Sequence, residues 1–178
     1  MATRLQEFCE NCEGEALDRP FRLVRRDPAL ADNKRLPKRL QLEVGRTVYA
    51  KLREGFRGSE YACPAPLGPE ASASEVRAGV ETIMGTFRSN GFLINAKLSD
   101  LEAGSGGAMS WTLRTEGAAN LWGLQALQAR RSLITDAFDA FAVLGFLDAS
   151  GLEGTFSVDA NDTYAEQQWT VRRKALVV

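Results

Sequence analysis

The chain has 178 residues, 44% of them hydrophobic and 25% charged, with a formal net charge of −1 and no histidine. That length can bury a core, and the composition excludes a disordered chain, a collagen and a coiled-coil rod. Without histidine, Ser-His-Asp triads, Cys-His dyads and the common zinc sites of enzymes are excluded, and no apolar run approaches the roughly 18 residues of a membrane span.

In chain order, Leu5, Phe8 and Cys12 share one face of a short amphipathic helix predicted over residues 3–17. A short strand follows at 21–25, then a polar loop or arm from Asp27 to Lys38 that holds two prolines. Over 39–53 the pattern alternates. Leu40, Leu42, Val44, Val48, Ala50 and Leu52 fall on one side; Gln41, Glu43, Thr47, Tyr49, Lys51 and Arg53 fall on the other. That is the period of a half-buried strand, with Gly45 as a break or bulge; a helix over 46–54 is the competing reading. Residues 55–71 form a connector stiffened by Pro64, Pro66 and Pro69. Ser72-Ala-Ser-Glu75 fits a capping box, and Val76, Val80, Ile83, Met84 and Phe87 give one apolar face of a helix over 73–89 that Asn90-Gly91 stops.

Strands are expected at 92–98 and 108–115, joined through the flexible turn Gly104–Gly107 as an antiparallel hairpin. A second long helix is expected from Ala118 to Phe146, with Leu124, Leu127, Ile134, Phe138 and Phe141 as its buried stripe and Gly145 at its frayed or kinked end. Two last strands, Thr155–Val158 and Gln168–Val178, flank the turn Asn161-Asp162. The class is therefore α+β: a mostly antiparallel sheet built from hairpins, with two main helices. Residues 1–38 read as an N-terminal arm with short elements, 39–171 as one α+β core domain, and 172–178 as a basic C-terminal tail.

The balanced total hides segregation. Residues 1–18 carry one base against five acids; 19–57 carry twelve against four; 58–171 carry six against fourteen; Arg172-Arg173-Lys174 adds three bases. Opposite blocks can pair within a subunit or between copies, and a basic block also suits a polyanion. Cys9, Cys12 and Cys63 do not supply four zinc ligands, and Cys9-Glu-Asn-Cys12 precedes any strand, so free thiols are expected and no metal site. Gly104–Gly107 lacks the spacing and lysine of a phosphate loop. Asp136 and Asp139 on one helix face near Arg130 and Arg131 read as surface pairing; Asp159 and Asp162 read as turn residues. Trp111, Trp122 and Trp169 read as core or subunit-contact residues. No catalytic residues and no cofactor are identified.

One constellation stands out. On a strand, Thr47, Tyr49, Lys51 and Arg53 share a face inside the most basic block. Bases there would neutralise phosphates and the tyrosine ring would stack on a base, which suits single-stranded nucleic acid. The plainer reading of the same face is a solvated strand surface.

Asp27-Pro28, the basic strand, Tyr61 followed by Pro64-Ala65-Pro66, and Gly145-Phe146-Leu147-Asp148 together resemble landmarks of the coat proteins of small single-stranded RNA bacteriophages. The resemblance implies an antiparallel sheet, helices that grip a dimer partner, and RNA on the inner face of the sheet. The expectation is a self-assembling structural protein, a virion coat subunit or another phage component. Its partners would be copies of itself and single-stranded RNA, not a membrane. Its location would be the virion or the host cytoplasm, since residues 1–8 lack the apolar core of a signal peptide. A non-catalytic module that binds nucleic acid or protein, and an enzyme using carboxylates, are the alternatives.

Overall fold

The computed structural model describes residues 38–57, 62–89, 93–116, 138–160 and 164–175. The predicted elements at 3–17 and 21–25, the arm, Cys9, Cys12, Trp122, Arg130, Arg131, Asp136, the helical stretch 118–137 and the turn at Asn161 lie outside the described residues.

Among the described residues, three α-helices and an antiparallel sheet give the α+β class expected. Helix α1 spans Lys38–Gly55, α2 Ala73–Ser89 and α3 Phe138–Ala149. The strands are β1 Asn95–Leu98, β2 Glu102–Ala103, β3 Met109–Glu116, β4 Leu152–Ala160 and β5 Ala165–Arg173. Their order is β1-β3-β5-β4, with β2 also on β3.

The first correction is α1: residues 39–53 are helical, and the helix is a third one beyond the two expected. Its buried positions are Leu40, Val44, Gly45, Val48, Tyr49 and Leu52. These sit at steps of 4, 1, 3, 1 and 3, while Ala50 is exposed. Apolar residues at 40, 44, 48 and 52 fit a period of 2 and a step of 4 equally well, so alternation was an ambiguous signal. The decision came from packing. Glycine and β-branched residues weaken an isolated helix, but here Gly45 is where α1 meets α3. A β-carbon on Gly145 would stand 2.5 Å from the Gly45 carbonyl carbon and 2.7 Å from Tyr49 Cβ. The two backbones touch, and only glycine leaves room. Gly145 thus sits inside α3 at a helix crossing, not at a frayed end; the helix runs on to Ala149 and stops at Gly151, whose φ of 77° is the left-handed conformation that ends helices.

Helix α2 matches its sequence signals. The Ser72 amide donates to Glu75 Oε2 at 2.8 Å, and the Glu75 amide donates back to Ser72 Oγ at 3.3 Å, a reciprocal capping box. Those bonds to Ser72 hold the Glu75 carboxyl below its usual range. Val76, Val80, Ile83, Met84 and Phe87 are all buried.

Helix α3 is buried from Asp139 to Leu147 on every side. It packs chiefly against α1 and also against β4 and α2. That position explains an apolar sequence without a polar face. Across the sheet, Trp111, Trp169 and Phe156 stand opposite one another in register. Their rings stack at 5.8 and 4.7 Å, and Phe141 of α3 meets Phe156 edge-on at 5.7 Å. Trp111 and Trp169 are core residues, as expected; Phe141 is buried, and the Phe138 side chain lies outside the description.

Candidate functional site

The four residues expected to share a strand face are divided by the helix. One residue in a helix turns by about 100°, so Thr47 and Lys51 lie on one side of α1 and Tyr49 and Arg53 on another. Thr47 Oγ1 donates to the Glu43 carbonyl at 3.0 Å. Tyr49 is 4% exposed; its hydroxyl donates to the Pro64 carbonyl at 2.7 Å, and its ring meets Phe146 edge-on at 5.9 Å. Burial pushes its phenol up to about 12. The Arg53 guanidinium lies 5.9 Å from the Tyr49 ring centre. The single face of bases with a stacking tyrosine is therefore not built: Tyr49 anchors the proline-rich connector to the core. What α1 does present is charge. Lys38, Arg39, Arg46 and Arg53 are exposed along it, with Arg57 just beyond.

Asp148 at the end of α3 ties three elements together. Arg46 Nε of α1 donates to its Oδ2 at 2.6 Å, and Lys174, just past β5, donates from Nζ to its Oδ1 at 2.6 Å and to its carbonyl at 2.9 Å. Burial favours the neutral acid, but the bonds from Arg46 and Lys174 outweigh it and hold the carboxyl below its usual range. Two bases on one carboxylate leave local positive charge. This cluster borders a groove of about 310 Å³ between the start of α1 and β4, with apolar walls from Leu42, Leu144, Leu152 and Phe156 and with Lys38 and Glu153 at its rim.

Strand β4 is the outer strand on that side. Its ladder with β5 is unbroken over nine pairs, from Leu152↔Arg173 to Ala160↔Ala165. Among the described residues nothing pairs with its other edge, and it carries no lysine, proline or bulge, the usual devices that blunt an edge. The opposite edge is β1 and β2. There the pairing to β3 slips by one residue between Leu98↔Leu113 and Glu102↔Ser110, which is a bulge. Arg77 of α2 clamps it, donating to the Ser99 carbonyl at 3.0 Å and to Asp100 at 3.2 Å. The sheet face turned away from the helices carries Ser110, Thr112, Thr155, Ser157, Gln168 and Thr170, which line a shallow open basin.

The second correction is Asp139, which is not a surface partner of arginines. It is 2% exposed. Gln167 Nε2 donates to its Oδ2 at 2.7 Å, and Trp169 Nε1 donates to Gln167 Oε1 at 3.0 Å. Burial raises its pKa; the nearby Thr115 hydroxyl and Gln167 reverse part of that. Neither Asp139 Oδ1 nor Thr115 Oγ1 completes a hydrogen bond of standard geometry among the described residues. A folded pKa above the unfolded value means that the folded state holds the proton more tightly. Stability is then fully present below about pH 4, the ordinary carboxylate value, and falls as pH rises through the raised value. Asp139→Asn keeps the shape of the neutral acid and should remove that fall. In urea melts, its stability relative to wild type should rise between pH 4 and 8; a parallel pair of curves would show that Asp139 does not titrate in this window.

Among the described residues no three acidic or cysteine side chains converge as metal ligands, and no helix is long and apolar enough to cross a membrane. Cys63 is buried and reduced, with its thiol pushed up to about 12 by burial. Comparison with protein-family models, with curated proteins and with solved structures finds no match to this chain.

Proposed function

We propose that the chain is a self-assembling structural subunit of the kind that builds a virion coat, with single-stranded RNA as a partner of its basic helix. The observation that carries the reading is the nine-residue strand β4, whose outer edge nothing among the described residues pairs. An open edge is a template for another chain, and a protein that keeps one over this length has a use for it. The resemblance to coat proteins and the segregated charge support the same reading. The RNA contact rests on the exposed bases of α1, not on Tyr49, so it is a contact to phosphates with no stacking platform.

The test is electron microscopy and light scattering of the purified full chain at physiological salt. Regular particles far larger than a dimer are expected, with an absorbance ratio at 260 and 280 nm that reveals co-purified nucleic acid. Material that stays monomeric across protein and salt concentration would refute assembly. Particles free of nucleic acid would refute the RNA contact alone.

A further inference from the structure

The two edges of the sheet that no described residue pairs are complementary to each other. Strands alternate in direction across the order β1-β3-β5-β4, so β1 and β4 run antiparallel. A second copy placed beside the first in the same orientation brings its β1 against β4 as an ordinary antiparallel neighbour, with the described helices on one side.

The backbone groups agree in phase. The Ser99 amide donates to the Thr112 carbonyl at 2.9 Å, and the Lys174 amide to the Gly151 carbonyl at 3.3 Å. These bonds mark the odd-numbered residues of β1 and β4 as those bonded inward, so Ala96 and Leu98 of β1 and the even-numbered residues of β4 turn their amides and carbonyls outward; just ahead of β1 the Ile94 amide is bonded inward, to the Glu116 carbonyl at 2.8 Å. Side chains agree too. Ile94 is the exposed large hydrophobic of the described residues, 69% open, and it immediately precedes the free edge. Lys97 is exposed on β1, and Glu153 is exposed on β4.

Resting on the assembly reading above, we infer that β1 of one copy adds to β4 of the next, head to tail, with Lys97 opposite Glu153. That register sets Asn95 opposite Thr155, Ala96 opposite Gly154 and Leu98 opposite Leu152. The outward backbone groups of Ala96 and Leu98 then meet those of Gly154 and Leu152. Ala96 and Leu98 pack against the core from the helix side of β1, and Leu42, Leu144 and Phe156 wall the groove on that side of β4. Lys97 and Glu153 form a cross-strand pair on the other face. Pairing β4 with itself over its whole length, about Phe156, instead opposes Glu153 to Asp159, two acids. Asn95 Oδ1 accepts from the Ala96 amide at 3.0 Å; the incoming strand displaces this local cap. A head-to-tail contact closes into a ring or continues as a helical array.

The test uses the full chain in four forms: wild type, K97E, E153K and the double variant. Sedimentation velocity over a concentration series reads the onset of large particles, and thermal melts check folding. Each single reversal should raise the onset concentration roughly tenfold, equivalent to about 1.4 kcal/mol, while the double variant returns to within about threefold of wild type. I94R should also abolish particles with its melt unchanged. Mixing N95C with T155C under mild oxidation should give a cross-linked pair beyond the level of either variant, or of wild type, alone. If wild-type particles form but neither the reversals nor I94R disturb them and no cross-link appears, this interface is wrong and the structural-subunit reading survives. If wild type never leaves the monomer, that reading itself is refuted.

Discussion

Gly145→Ala should destabilise the protein by at least about 3 kcal/mol, the upper end of the usual cost of overpacking. The added carbon would lie within the van der Waals envelope of the Gly45 carbonyl and 2.7 Å from Tyr49 Cβ. Backbone cannot rotate aside as a side chain can, so α1 must lift from α3 along its length. Tyr49 would be drawn from Phe146 and its hydroxyl from the Pro64 carbonyl. Gly85→Ala is the control. A β-carbon at Gly85 meets nothing within 4 Å, so this helical glycine should gain about 1 kcal/mol from propensity alone. Urea denaturation of the two variants measures both signs. A Gly145→Ala variant as stable as wild type would mean that the helices do not cross here.

Phe146→Ala is the second large effect, about 3–5 kcal/mol. The ring is fully buried and rests on Gly79 of α2, where a β-carbon would lie 2.7 Å from one of its ring carbons. Removing the ring opens a void between α1, α2 and α3. Gly79→Ala attacks the same contact from the other side by crowding the ring. Combined, the two substitutions should cost less than the sum of their separate costs, since the new methyl occupies space the ring has left. Equilibrium unfolding of the two single variants and the double variant gives the coupling directly; strict additivity would show that the residues do not touch.

Much of the architecture was open to reading because its signals are local. The capping box at Ser72 and Glu75, the apolar face from Val76 to Phe87, and the alternation of Met109, Trp111 and Leu113 each depend on neighbours within a few positions. Backbone geometry alone imposes those periods. The hairpins followed in the same way, and with them an antiparallel sheet.

The errors fell where a residue's meaning depends on a distant partner. Residues 39–53 carry a pattern that serves either period, and contact with α3 a hundred residues away selected the helix. Gly145 looked like a frayed or kinked end because glycine usually weakens a helix, yet a close crossing requires it. Asp139 looked like a surface acid because charged groups seldom go inside unpaired; Gln167, from a strand 28 residues further on, accompanies it there. The proposed nucleic-acid face failed for the same reason as the strand that carried it. Edge position, too, is invisible along the chain: β4 and β5 are both nine residues long, and only the order of strands leaves β4 open on one side among the described residues. Local chemistry determined which segments are helix or strand wherever one period dominated. Long-range packing decided the ambiguous segment, the buried acid and the free edges, because each is a relation between residues that only folding brings together.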